Sequence, residues 1–406
     1  MSKKFDVKSV TVEKKTFDEA GLKKLTDLIK KYDVHQKPID LLPRGIHEII
    51  RFELHGTTAN FANAVRRVLM DELECLTLAC GIENIRCSDP YLVQNPHKII
   101  CEISSAIINQ MIPEDEIKRI NEGSLCLIAA NKNSDDRKIK CSDLYFSPNA
   151  NFDKKYVETP KVERATIDVS YSRICNFGLF QISDNLLQYI IAESFPQAKL
   201  DHLLIEPMQI LSSIREETSI YISRIQIRKG TNSENGRYGL LDNVSYTPLD
   251  VDPANLAKTM EFKDQTNKFA ISFETRGNIT VARVIELCCN VFYDVLGKFK
   301  KSLEEFSESK KPSFKNEHIV ITANQKYTEI ISEKLSYSVL SAVTRAAFDI
   351  DPSIGFIAIS RQNNAKIKIN HPNFAGLLLK GVDETKKNID VLSDAFAKFK
   401  TAKTRF

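Results

Sequence analysis

The sequence predicts an α+β protein built as two units, each a sheet with two helices, that bury their helices against each other, with a small α+β domain inserted in the first. Three observations lead there. Ile50, Phe52 and Leu54 alternate with Arg51 and Glu53 and run into a helical pattern over Asn60–Leu76, so a half-buried strand feeds an amphipathic helix. Phe269, Ile271 and Phe273 alternate in the same way ahead of a long helical pattern from Val281. Beyond residue 316 the order strand, helix, two strands, long helix comes again, an architectural echo without a sequence repeat.

The elements follow in order. Residues 1–45 read as an N-terminal extension, with a lysine-rich helical candidate at Phe17–Tyr32 that ends before Pro38 and Pro43. The first unit opens over 46–91, and its helix carries the widest stripe of the chain. At about 100° per residue, Phe61, Ala64, Val65, Val68, Leu69, Leu73 and Leu76 share one broad apolar face, which needs a partner helix. Arg66 falls at the rim of that face and Arg67 on the opposite flank. An arginine pair suits a solvated surface with loose ion pairs or planar contacts at an interface, and the pattern alone leaves both open.

Past Asp89-Pro90 a second helical pattern, His97–Ile112 (Ile99, Ile103, Ala106, Ile107), leads to strands at Ser124–Ala130 and near Arg137–Cys141, so 92–204 reads as the inserted domain. The first unit resumes over 205–303. In Ser219–Arg228, Ile220 and Ile222 are out of phase with Ile225 and Ile227, which predicts a bulge between Ile222 and Ile225. Gly277-Asn278 turns into the long helix, whose Val284, Ile285, Cys288, Val291, Phe292, Val295, Leu296 and Phe299 form one apolar side. Charged, proline-containing 304–316 reads as a flexible linker. The second unit, 317–406, contains a strand (Ile319–Thr322), a helix (Glu333–Phe348), strands (Ile354–Ser360, Lys366–Ile369) and a helix (Leu377–Lys400) striped by Leu378, Val382, Ile389, Leu392, Phe396 and Phe399.

Composition narrows function by exclusion. A length of 406 residues allows several cores. The charge of +4 comes from 57 basic and 53 acidic residues, a near balance that gives no broad footprint for phosphate backbones. Strong direct nucleic-acid binding is not expected. The pairs Lys3-Lys4, Lys14-Lys15, Lys23-Lys24, Lys30-Lys31 and Lys386-Lys387 read first as solvated faces, and keep a free-standing nucleic-acid-binding or scaffold module as the alternative. The nine scattered cysteines suit buried thiols in a reducing compartment. Cys75, Cys80, Cys87 and Cys101 lack the paired short spacings of zinc sites, so no metal is expected. Nucleotide-binding, metalloprotease, hydrolase and CxxC motifs are absent, and Asp349-Ile350-Asp351 runs into Pro352 as a turn would. No catalytic residue is predicted. With no apolar core in MSKKFDVKSV and no long apolar run, the expectation is an intracellular, cytoplasmic protein without a membrane span.

Phe52–Glu72, FELHGTTANFANAVRRVLMDE, resembles the signature of the alpha-type subunits of multisubunit RNA polymerases: bacterial alpha, archaeal D and the eukaryotic third-largest subunit. In that family a strand and a Gly-Thr or Gly-Asp turn lead to a helix with Asn63, Ala64, Arg66 and Arg67 at the matching places. KIKCSDLYF (Lys138–Phe146), the IEPMQI, SIYISRIQIRKG and SYTPLD segments, and ISFETRGNITVARVIELC (Ile271–Cys288) are similar to its later segments. SYSVLSAVTRAAFDIDPSIGFIAI (Ser336–Ile359) with INHPN (Ile369–Asn373) is similar to the small partner, archaeal L or the eukaryotic eleventh subunit. Tyr337-Ser338-Val339-Leu340-Ser341 keeps only the leucine of that partner's usual Asp-His-Thr-Leu-Gly, and Gly236–Gly239 is a reduced form of the family's His-Ala-Lys loop.

The resemblance implies a fusion of both subunits in one chain, as in large cytoplasmic DNA viruses, with viral factories and virions as added locations. It implies a non-catalytic assembly platform whose dimerisation is satisfied within the chain. The implied interface is Phe61, Ala64, Val65, Val68, Leu69, Val284, Cys288 and Val291 against Leu340, Val343, Val382, Ile389, Leu392 and Phe396. Asn63, Arg66 and Arg67 are the implied docking residues for the two largest catalytic subunits, with small accessory subunits as further partners. The chain itself would need no cofactor, the reaction's Mg²⁺ being held by the catalytic subunits.

Overall fold

The computed structural model of the chain describes residues 4–14, 48–147, 203, 210–249, 267–275 and 279–399, less 88, 90, 91, 93, 94, 107, 235, 310, 325, 362, 363 and 398. Its strands are β1 (Asp6–Lys14), β2 (Glu48–His55), β3 (Glu74–Ala79), β4 (Ile85–Cys87), β5 (Ser124–Ala130), β6 (Arg137–Lys140), β7 (Leu144–Ser147), β8 (Ile210–Ile214), β9 (Ser219–Thr231), β10 (Leu241–Pro248), β11 (Lys268–Thr275), β12 (Ser313–Lys315), β13 (Val320–Ala323), β14 (Thr328–Ser332), β15 (Gly355–Arg361) and β16 (Asn364–Asn370). Its α-helices are α1 (Ala59–Arg67), α2 (Pro96–Ser104), α3 (Glu114–Glu122), α4 (Val281–Ser309), α5 (Tyr337–Ile350) and α6 (Phe374–Ala397). The fold is α+β, as predicted.

The first sheet runs β1-β2-β11-β10, all antiparallel. Phe269 sits opposite Leu54, Ile271 opposite Phe52 and Phe273 opposite Ile50, so the alternating apolar sets of both strands reach the same face. Its edge corrects the sequence reading. Residues 6–14 are not an extension outside the core: they pair with β2 from Asp6↔His55 to Lys14↔Glu48, and Phe5 is buried 5.4 Å from the Phe61 ring. The register shifts between Lys8 and Thr11, with Ser9 at φ 50°. That bulge brings Val7, Val10 and Val12 onto the core despite their broken alternation. The helical candidate at Phe17–Tyr32 and the Gly277-Asn278 turn lie outside the described residues.

The opening helix is shorter than its stripe. Gly56, at φ 68°, makes the turn out of β2, and the Thr58 hydroxyl accepts from the Phe61 amide to cap α1. After Arg67 the chain passes through a π-helical turn, Val68–Glu72, and Leu73 is extended at ψ 134°. Leu76, expected on the helix, lies in β3 opposite Lys229 of β9 and belongs to another core. Strand pairing and burial override the helical period there.

That second core sits on the sheet β3-β9-β5-β7, with β4 also on β9, and is closed by α2, α3 and the β6–β8 ribbon. It draws β3, β4 and β9 out of the segments assigned to the first unit and runs from Leu76 to Ile227 in sequence. The predicted bulge in β9 is present: Leu127 faces Ile222 but Leu125 faces Ile225, with Arg224 at φ 51°, and Ile220, Ile222, Ile225 and Ile227 all reach the core. α2 ends at Ser104 rather than Ile112, where the Ser104 and Ser105 hydroxyls bond back to the Ile100 and Glu102 carbonyls.

The expected linker is also corrected. α4 continues to Ser309 and β12 begins at Ser313, so the described part of 304–316 is mostly helix and strand. Glu304, Glu308, Lys311 and Lys315 are exposed, while Phe306 packs on Phe314 and Phe374 at 6.0 and 5.4 Å. The last sheet runs β12-β13-β14-β16-β15, antiparallel throughout. Its short β14 carries polar residues at two of its three inward positions, Thr328 and Ser332 beside Ile330, which is why periodicity misses it.

Candidate functional site: the helix seam and its arginine flank

One continuous core joins the first sheet, α1, α4, α5, α6 and the last sheet. α1 packs on α5 and α4 on α6. Phe61, Ala64, Val65, Val68, Leu69, Val284 and Cys288 from one side, and Leu340, Val343, Val382, Ile389, Leu392 and Phe396 from the other, are all buried in this core, with Val291 half-buried against it. The Phe52 and Phe396 rings meet edge to face at 5.2 Å across the seam. Apolar burial of this kind is the main stabilising term in helix packing.

Polar contacts fix the register of that seam. Asn60 Nδ2 donates to Ser341 Oγ at 3.0 Å, and Tyr293 Oη donates to Asp390 Oδ1 at 2.7 Å. Lys300 and Asp383 form a 3.0 Å ion pair at its exposed rim, a contact of small energetic weight. Ser336 caps α5 by accepting from the Val339 amide and donates to Glu72 Oε1. Burial pushes the Glu72 carboxyl up, the Ser336 bond opposing it. Burial and then Asp390 raise the Tyr293 phenol, so it stays a donor. Within the helices, buried Thr344 and Thr385 satisfy their hydroxyls on the Leu340 and Gly381 carbonyls. Cys288 is buried among these groups and its thiol is held well above the ordinary value by desolvation, an inert packing residue.

Asn63, Arg66 and Arg67 lie on α1 beside the seam and are half-buried. Arg66 Nε donates to Asn63 Oδ1 at 3.1 Å, its Nη1 lies 3.7 Å from Met70 Sδ, and its guanidinium sits 5.8 Å from the Tyr246 ring centroid on β10, within cation–π range. Arg67 lowers the pKa of Glu72 through its charge. Among the described residues, neither arginine has a carboxylate within ion-pair distance. Two half-buried guanidinium groups without an ion-paired carboxylate leave donor capacity for an incoming acceptor.

Sequence reasoning did not find Asn60, Glu72, Tyr246, Ser336 or Ser341. Ser336 was open to detection as a serine before an apolar helical run; the others depend on contacts across the fold. Asp349 and Asp351 do not converge. Asp349 pairs with Arg345, and Asp351 takes the Ser353 amide and hydroxyl, a local turn in which both bonds hold its carboxyl below the usual range. No group of three metal-ligating side chains occurs among the described residues.

A family model, the RNA polymerase Rpb3/Rpb11 dimerisation domain, matches residues 51–296, more than half of the chain. The chain belongs to that family. Within it the chain is an alpha-like RNA polymerase subunit, in a family of non-catalytic subunits that associate with other polymerase subunits. The matched segment begins in β2, carries α1 with Asn63, Arg66 and Arg67, and ends within α4; α5 and α6 lie beyond it. None of the curated proteins compared with the chain matches it.

Proposed function

We propose that this alpha-like subunit is the assembly platform of a DNA-directed RNA polymerase, with a third-largest-like half and an eleventh-like half carried on one polypeptide and paired within it. Asn63, Arg66 and Arg67 dock a large catalytic subunit, the two largest subunits and small accessory subunits being the partners. The chain contributes no catalytic group and no cofactor; the Mg²⁺ of nucleotide transfer belongs to the catalytic subunits, and the site of action is cytoplasmic, in viral factories and virions. One observation carries this reading. Both units bury two helices in a shared core, while two half-buried arginines beside it have no carboxylate within ion-pair distance among the described residues.

Arg66→Glu with Arg67→Glu, co-expressed with the two largest subunits, tests it. Gel filtration and circular dichroism should show a folded protein that no longer assembles with them. Retained assembly overturns the docking role. Tight, steeply salt-dependent DNA binding by the isolated chain would favour a nucleic-acid-binding module instead.

A further inference from the structure

β15 ends the last sheet, with β16 as its neighbour among the described strands. Its outward side chains are Ile357 and Ile359, 60% and 37% exposed. Two of the other sheet edges are polar: β10 shows Ser245 and Thr247 to solvent, and β12 shows Ser313 and Lys315. Edge strands ordinarily carry charge, proline or a bulge, because their unpaired N–H and C=O groups template further strands. β15 has seven residues in unbroken register with β16 and aliphatic side chains at its exposed positions.

The outward backbone set can be read from one contact. Tyr337 Oη donates to the Ala358 carbonyl at 3.3 Å. Antiparallel pairing directs alternate residues toward and away from the neighbour, so Ala358, with Phe356 and Ser360, presents its N–H and C=O outward. The Tyr337 bond is long for O–H···O, and an incoming amide is a stronger donor geometry for that carbonyl.

Charge identifies the occupant. Lys368 lies opposite Ile357 and Lys366 opposite Ile359 on β16. Both ammonium groups share the Glu329 carboxylate, at 3.8 and 2.8 Å, so among the described residues this face keeps a positive surplus. A second copy of the chain would bring the same surplus against it. An acidic segment would neutralise it.

We infer that β15 is an augmentation edge that takes an extended segment of another protein with aliphatic residues at alternate positions and net negative charge. This goes beyond the platform reading and does not involve the α1 arginines. The test selects a displayed library of random nonapeptides on the full-length chain. Enriched peptides alternate aliphatic residues, carry net negative charge and avoid central proline, and synthetic copies bind about tenfold more weakly to I357T/I359T, a loss of about 1.4 kcal/mol. Threonine keeps the strand propensity, and an unchanged thermal melt shows that the variant folds. No enrichment, enrichment of basic peptides, or equal binding to I357T/I359T overturns the inference. Sedimentation of the free chain separates the rival occupant: a micromolar dimer that I357T/I359T abolishes overturns it in favour of a second copy.

Discussion

Phe396→Ala tests whether the two units form one cooperative core. Phe396 leaves α6 to meet Phe52 of β2 at 5.2 Å and 79°, with both rings about 1% exposed, and Phe399 lies 5.8 Å behind it. Removing a fully buried phenylalanine costs about 3–5 kcal/mol when the cavity cannot collapse, and the sheet on one side and α4 on the other leave little room to collapse here. The edge-to-face geometry is expected to add a coupling of about 0.5–1.5 kcal/mol between the rings. In urea, followed by circular dichroism and by tyrosine fluorescence because the chain has no tryptophan, F396A should lower the midpoint of the transition that reports both units. In a double-mutant cycle, F52A/F396A should lose less than the sum of its parts by that coupling. A loss below about 1 kcal/mol, strict additivity, or movement of only one of two resolved transitions would refute a shared core.

Two further outcomes follow from the same seam. A Cβ at Gly381 of α6 would lie 2.5 Å from the Val343 carbonyl oxygen and 3.1 Å from the Ala347 amide of α5; Gly381→Ala should therefore lower stability by about 1–3 kcal/mol, against the roughly 1 kcal/mol that alanine usually gains in a helix, and a rise in melting temperature would sink the account. Burial raises the Glu72 carboxyl above its ordinary 4.5, so the protonated form favours the fold, an advantage present below pH 4.5 and lost as pH rises through the raised value. Glu72→Gln keeps an acceptor for Ser336 without the buried charge. It should be more stable than the parent at pH 7, with the gain fading toward pH 4 in chemical denaturation; a gain independent of pH would contradict the assignment.

What the sequence shows and hides divides along physical lines. The β9 bulge was legible because two pairs of isoleucines on one strand disagree in phase and only an extra residue reconciles them. A similar bulge hid β1: with Val7, Val10 and Val12 as its only apolar markers, a slipped phase looks like no phase. The seam residues were legible as helical stripes, since a stripe that wide has to be covered. The helix boundary at Leu73 was not, because residues 73–76 satisfy the helical period equally well and the decision belongs to β9, far along the chain. Composition misled at 304–316, where Glu304, Glu308, Lys311 and Lys315 are exposed and Phe306 packs on two other rings. The polar bonds Asn60–Ser341 and Glu72–Ser336 join residues some 260 to 280 positions apart, beyond any local pattern.

The corrected linker changes how the halves are held. A flexible tether would bring them together through effective concentration, but only residues 310–312 separate α4 from β12. α4 lies in the first core through Val284, Cys288 and Phe292, then holds the last unit through Phe306 on Phe374 and Lys300 on Asp383. Exchange of halves between two chains would have to break that helix. The pairing is also unequal: α1 reads Asn-Ala-Val-Arg-Arg over 63–67, while α5 reads Ser-Ala-Val-Thr-Arg over 341–345. Where α1 presents half-buried Arg66, α5 has Thr344, buried and bonded to its own helix, and where α1 has Arg67, α5 has Arg345 paired with Asp349. A symmetric dimer offers the same flank twice. This single chain offers two different flanks in a fixed arrangement, which is what the proposed platform would need in order to seat two different large subunits without confusing them.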